Sequence, residues 1–170
     1  MHFILSTLIK LVCDLPLLLL GLVIVPFALL FEKNNHLPFW AEWCWGNKDH
    51  GNDGEKFWAA KTVGQSRFWR CYQWLALRNP CFNWGKYILG TTFTSYEHVG
   101  DIKVGDKSGP GSYWCFMGPY WEYYSITPYT LFGTKRCLRI RFGWKIYGKA
   151  VGDECQFVWV INPVMPYFGT

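Results

Sequence analysis

The sequence predicts an α+β protein, with an N-terminal membrane helix followed by a small domain. In that domain an antiparallel sheet of four or five strands carries a short packed helix. Three stretches support this. Leu11 to Phe31 is apolar and, after Asp14, stays uncharged for seventeen residues. Ser66 to Arg78 repeats its apolar residues with a helical period, and from about Tyr96 the period changes to two. The expected boundaries are 1–31 for the anchor helix and 32–170 for a single α+β domain.

A helix rises about 1.5 Å per residue, so roughly twenty apolar residues cross the hydrocarbon core of a bilayer. The run reaches that length with Asp14 near one interface and Phe31 near the other. Lys10, four residues before Asp14, shares its helical face and can pair with it at the headgroup level. A cleaved leader is disfavoured, because Phe31-Glu32-Lys33-Asn34-Asn35 offers no small-residue cleavage site. Pro16 and Pro26 can instead break the run into a re-entrant hairpin, and a buried core helix is the plainer alternative. Soluble helices rarely stay apolar on every side for this length, so the anchor is preferred.

Glu32 to His36 is a polar exit. Behind it, Trp40, Trp43 and Trp45 join Lys10 and Asp14 as the residues expected at the membrane–water interface, where an apolar ring with one polar group settles. The N-terminal flank offers the α-amino group and Lys10. The other flank offers Lys33 beside Glu32, then nothing basic until Lys48. Positive-inside bias therefore favours a single pass through an inner membrane with the N-terminus in the cytoplasm. The lipid bilayer is the first expected partner.

The net charge is +5, from 17 Lys and Arg against 12 Asp and Glu, which suits solubility, anionic lipid or nucleic acid equally. Aromatic residues make up 20% of the chain and include eleven tryptophans, which points to broad ring surfaces at an interface. Seven cysteines (13, 44, 71, 81, 115, 137 and 155) contain no Cys-x-x-Cys pair, which argues against structural zinc. The six beyond the anchor allow three disulfides in an oxidising compartment and suit a reduced core equally well.

Asn47 to Glu55 is the most polar stretch. Asp49, Asp53 and Glu55 are weak candidate metal ligands there, but their spacing fails the EF-hand pattern and an Asx- and Gly-rich loop explains the same residues. No metal and no cofactor is expected. Ser66 can cap the helix that Asn79-Pro80 stops, with Phe68, Cys71, Tyr72 and Leu75 turned to a core. Arg67, Arg70 and Arg78 share another face with Trp74. Strands are expected at 96–104, 112–117, 120–127, 136–147 and 155–162, with turns at Gly118-Pro119 and over 105–111, 127–133 and 148–153. In the fourth, Leu138, Ile140, Phe142, Trp144 and Ile146 are expected on the core face, and Arg139, Arg141 and Lys145 on the wet one. Those three, with Arg67, Arg70 and Arg78, form the candidate face for an anionic ligand. Glu122 on the preceding strand can pair an arginine across the sheet, and that reading is favoured over nucleic acid.

Catalytic signatures are missing from the sequence: it has no G-x-S-x-G, no P-loop and no G-x-G-x-x-G. His50 and His98 are the remaining candidates for a general base.

An ordered series of motifs carries a resemblance. It comprises Leu37-Pro38-Phe39-Trp40, the loop Lys48 to Gly54, Arg78-Asn79-Pro80, Trp121-Glu122-Tyr123-Tyr124, the strand Arg139 to Lys145, Gln156-Phe157 and Asn162-Pro163. The chain resembles a family of small uncharacterised proteins of tailed bacteriophages that have an apolar N-terminal segment and a Trp/Arg-rich C-terminal domain. The departure lies at Lys48-Asp49-His50-Gly51, in place of a more Asn/Ser-rich turn. The resemblance implies phage provenance rather than an activity; together with the anchor it leads to the expectation of a non-enzymatic, membrane-anchored phage protein acting at the host envelope, by superinfection exclusion or counter-defence, with a host or phage protein as partner. The rival readings are a virion component entering the envelope during genome delivery and a membrane-tethered enzyme.

Overall fold

The apolar run folds as one helix, α1 (His2–Leu29), in the computed structural model, which describes residues 2–169. Pro16 and Pro26 lie inside the helix without ending it. Its segment Thr7–Leu29, 23 residues or about 35 Å at the usual rise, is long and apolar enough to cross a membrane. The two sides of α1 differ. Leu8, Val12, Leu15, Leu19, Val23 and Phe27 recur every three or four residues, and each is more than half exposed. Lys10, Gly21, Val25 and Ala28 follow the opposite stripe and are buried.

The chain divides into two compact units, Met1–Gly90 and Thr91–Thr170. In the first, α2 (Phe39–Trp45) runs back along α1. Phe27 meets Trp40 with ring centroids 6.1 Å apart, and the Trp45 indole N–H donates to the Leu17 carbonyl at 3.0 Å. Gly21 makes room for that indole, since a Cβ there would lie 2.6 Å from its nitrogen. Two further helices follow, α3 (Lys56–Lys61) and α4 (Arg67–Tyr72). As expected, Ser66 caps α4, accepting from the Trp69 N–H at 3.3 Å.

From Gln73 to Arg78 the helix widens into a π-helical turn, and a second spans Trp84–Ile88. The wider turn changes which residues face inward. Cys71, Leu75 and Trp74 are buried, whereas Phe68, expected in the core, is 43% exposed. The core of this unit joins Val25, Ala28 and Leu29 of α1 to Leu37, Ala41, Trp45, Trp74 and Leu75. Burying a valine or leucine side chain contributes roughly 1.5–3 kcal/mol, so α1 is a structural part of the unit.

The second unit holds a five-stranded antiparallel sheet in the order β2-β3-β4-β5-β7. Its strands are β2 (Glu97–Gly100), β3 (Gly111–Met117), β4 (Tyr120–Leu131), β5 (Thr134–Trp144) and β7 (Phe157–Pro166). The short β1 (Thr91–Thr92) and β6 (Glu154–Cys155) form a separate pair. All five expected strands are therefore present, with shifted ends.

The turn expected over 127–133 narrows to Phe132-Gly133, because β4 continues through Pro128. Proline is tolerated there because β3 stops opposite Ile126, leaving β4 one neighbour beyond that point.

The faces of β5 are the reverse of the expectation from residue 138 to 142. Arg139 and Arg141 lie opposite Ile126 and the buried Tyr124, on the side where Tyr113, Cys115, Met117, Glu122 and Cys137 are buried. Leu138, Ile140 and Phe142 turn to the more open side. Gly143 then redirects the strand with φ 111°; a Cβ there would lie 2.2 Å from the Trp121 carbonyl oxygen. Beyond it, Trp144 and Ile146 are fully buried, as expected.

Candidate functional site

On α1, Lys10 and Asp14 form the expected ion pair at 2.9 Å, with side chains 5% and 14% exposed. The pair is turned into the protein, so the outward stripe of α1 carries no charge from it. Of the three tryptophans expected at an interface, Trp40 and Trp43 are partly exposed. Trp45 is the correction: it is 4% exposed, covered by α1 at the level of Leu17 and Gly21. A short polar exit followed by an antiparallel return explains this, because the chain after His36 doubles back along the helix that it has left. Leu30, Phe31, Leu37, Pro38 and Trp40 line an apolar hollow of about 690 Å³ at this bend.

The polar loop is held by cations. Asp49 accepts hydrogen bonds from Lys86 and Tyr87. Burial alone pushes its carboxyl up, but those two hydrogen bonds outweigh it and hold Asp49 below its ordinary value. Asp53 meets Arg67 at 3.2 Å and Arg70 at 3.5 Å, and Glu55 meets Arg78 at 3.1 Å. Arg67 also reaches Glu32, whose hydrogen bond raises the guanidinium pKa.

The three weak metal candidates thus each face a cation, and Arg67, Arg70 and Arg78, three of the six residues of the candidate anion-binding face, are among those cations. The Arg78 guanidinium also lies over the Trp58 and Trp74 rings, 5.4 Å from each centroid. Gly54, at φ 77°, lets the loop backbone close on Trp74, where a Cβ would lie 2.6 Å from the indole. This face of the helix is occupied by the chain's own acidic loop.

In the sheet unit, Glu122 is fully buried and accepts from Arg141 Nε (2.7 Å), the Ile146 and Tyr147 N–H groups (2.7 and 2.9 Å) and the Tyr113 hydroxyl (3.4 Å). The expected cross-strand pairing of Glu122 with an arginine is therefore present, but in the interior. Arg139 and Arg141 both lie against the Tyr124 ring, 5.6 Å from its centroid. Burial pulls the Lys145 ammonium below its ordinary value, with Arg141 and Lys149 adding repulsion.

The open side of the same sheet is aromatic. Val99, Trp114, Tyr123, Phe142 and Trp159 stand opposite one another across all five strands. Trp114 stacks on Phe116 and meets Tyr123 with centroids 4.7 Å apart, while Trp121 meets Phe142 at 5.4 Å. Val99 and Ile161 at the two edges are 65% and 71% exposed. A row of this kind excludes water from whatever covers it, with the charged Glu97 and Arg136 on the same side by register.

The model of a family of unknown function (DUF7338) matches residues 1–169, taking in the apolar helix, the polar loop and the sheet. The chain belongs to the DUF7338 family. No curated protein and no solved structure matches this DUF7338 protein.

The two histidines considered as bases in this DUF7338 protein have aromatic neighbours. The His50 ring meets Trp74 edge-on at 6.1 Å, and His98 lies on β2 opposite Cys115, near Tyr96. Among the described residues no three His, Cys, Asp or Glu side chains gather as metal ligands would. The aromatic row across the DUF7338 sheet went unnoticed in the sequence. The signal was the alternation of rings along residues 114–123 and 157–161, but which rings align depends on register, which single strands do not reveal.

Proposed function

We propose that this DUF7338 protein is a non-enzymatic, membrane-anchored protein of a tailed bacteriophage that acts at the host's inner membrane. Its role would be to exclude a competing phage or to block a membrane-bound defence. The observation that carries the anchor is the unbroken apolar stripe of α1, Leu8 to Phe27, facing away from the rest of its unit while the Lys10–Asp14 pair faces inward. Six large apolar side chains held more than half open to water would cost several kcal/mol, and lipid removes that cost. The aromatic side of the sheet is the surface offered to a host or phage protein partner. The alternative of a virion component touching DNA gains little, because Arg141 is committed to Glu122 and Arg139 lies against Tyr124.

Removing α1 altogether is a poor test, since it also takes Val25 and Ala28 from the core. Leu15→Glu with Leu19→Glu changes only the outward stripe. Expressed in a bacterial host, the wild-type chain should stay in the membrane pellet after an alkaline carbonate wash, and the double variant should move largely to the soluble fraction. Wild-type expression should lower phage plating clearly, and the variant should not. A wild-type chain released by the wash overturns the anchor. Unchanged plating across a phage panel, with the chain found in purified virions, overturns the exclusion role in favour of the virion component.

A further inference from the structure

The two-sided character of α1 comes from the fold, since its own sequence is apolar on almost every side. Lys10, Asp14, Leu17, Gly21, Val25 and Ala28 recur every three or four residues and form its covered stripe. From Lys10 to Ala28 that stripe runs about 27 Å, most of the roughly 35 Å of Thr7–Leu29. The helical unit therefore lies alongside the apolar length of α1 rather than beyond one end of it.

The cover has a definite depth. Trp40 meets Phe27, and further along α2 the Trp45 indole reaches the carbonyl of Leu17, next to the middle of Thr7–Leu29. Between those two levels Glu42 accepts from the Leu37 N–H at 2.9 Å. Asn83 bonds both the Glu42 carbonyl (2.7 Å) and the Lys48 N–H (3.1 Å), so the chain past Trp45 stays beside α2. Lys48, Asp49 and His50 are exposed there, and Asp49 pairs with Lys86.

With α1 upright across a bilayer, Trp45 would lie at mid-membrane. Lys48 follows it by three residues, at most about 11 Å of chain, and half of the hydrocarbon core is about 15 Å thick. The exposed Lys48 would then stand in hydrocarbon together with Glu42, a position that charged side chains avoid. Laid flat, the same helix has no such conflict. Leu8, Val12, Leu15, Leu19, Val23 and Phe27 point into the acyl chains, and the charged loop on the covered side points to water. A helix about 10 Å across sinks by the roughly 5–10 Å usual for interfacial helices. Trp40 and Trp43, partly exposed at its flank, then reach the headgroup layer. The apolar stripe continues past α1 through Leu30, Phe31 and Phe39, all more than half exposed.

We propose that α1 is an in-plane anchor, parallel to the membrane surface and embedded in one leaflet, with both ends of the chain on the same side. The inference rests on α1 being the lipid-facing anchor. Among the described residues no other helix is long and apolar enough to cross.

The test uses the full chain in bacterial inner membranes, with a short tag and a site-specific protease site at each end. Protease is added to spheroplasts and, separately, to inverted vesicles. The expected result is removal of both tags from one preparation and of neither from the other. In a second measurement, Leu8→Glu and Leu19→Glu are compared singly by retention after an alkaline carbonate wash. The two positions share one depth in the in-plane arrangement, so both variants should be released to a similar extent. Tags removed from opposite sides overturn the proposal, while retention of the wild-type chain in the wash leaves the anchor standing. A release confined to Leu19→Glu, next to mid-span, also overturns it. A wild-type chain stripped by the wash removes the anchor itself, and the proposal with it.

Discussion

Glu122 is the residue on which most of the sheet's polar geometry converges. A carboxylate with no exposure is tolerated when every acceptor site is matched, and here an arginine, two backbone N–H groups and a tyrosine hydroxyl supply the donors. Removing one partner of such a pair leaves the other charged and unmatched, at a cost of roughly 3–5 kcal/mol. Arg141→Ala should therefore lower the unfolding midpoint of the full chain in detergent sharply. The double change Arg141→Met with Glu122→Gln should recover part of that loss, because no buried charge remains. Arg141→Ala melting at the wild-type temperature would remove Glu122 from this central role. The sequence showed that Glu122 and an arginine belonged together. It did not show on which side of the sheet, because strict alternation of Arg with Leu, Ile and Phe reads the same in either direction. A long arginine stem on Tyr124, with a buried acid within reach, reverses the usual assignment.

Among the elements, α1 and the β4–β5 hairpin were read with different success. The helix, its apolar character and the Lys10–Asp14 pair were legible, since each depends only on local spacing. The return of α2 along α1 was not, because it rests on Gly21 opening a place for Trp45, a contact between residues 21 and 45. The π-helical turns also escaped the sequence reading, and they explain why Phe68 and Trp74 exchange the environments expected of them.

The hairpin carries its own signature. Leu131 pairs with Thr134, so Phe132 and Gly133 form a two-residue turn, both with positive φ (48° and 75°). Asn-Gly is the common choice there, and a left-handed conformation costs a side chain such as phenylalanine about 1 kcal/mol. Phe132 is 97% exposed and contributes little packing in return. Phe132→Asn should raise stability by about 1 kcal/mol, read as a higher midpoint in thermal unfolding. A lower midpoint would mean that the phenylalanine ring has a structural contact that its exposure conceals.

For the whole molecule, the buried thiols set a limit on alkaline stability. Burial pushes Cys71 and Cys115 up to about 12 and Cys155 to about 11. Unfolding would return these groups to about 9.0, so above that pH the unfolded chain sheds protons that the folded chain retains. The stabilisation is complete below about pH 9 and is lost as the pH rises through 11 to 12. Melting midpoints should accordingly be level from pH 7 to 8.5 and fall steadily above pH 9. Replacing Cys115 and Cys155 with alanine should flatten the fall, and an unchanged slope would exclude these thiols as its source.

The connections between the strands also bear on how the chain is made. β3, β4 and β5 pair in the order in which they are synthesised, through the two-residue turns Gly118-Pro119 and Phe132-Gly133. Hairpins of this kind close in about 1–10 μs, and a topology of sequence neighbours keeps contact order low. Residues leave a ribosome far more slowly, at about 5–20 per second. Each strand therefore has time to zip onto its predecessor before the next emerges, and the half-built sheet exposes an unpaired edge only for the interval of one strand's synthesis. The last to arrive, β7, adds to β5 and ends that exposure on one side, with Pro163 and Pro166 placed where a further strand would otherwise join.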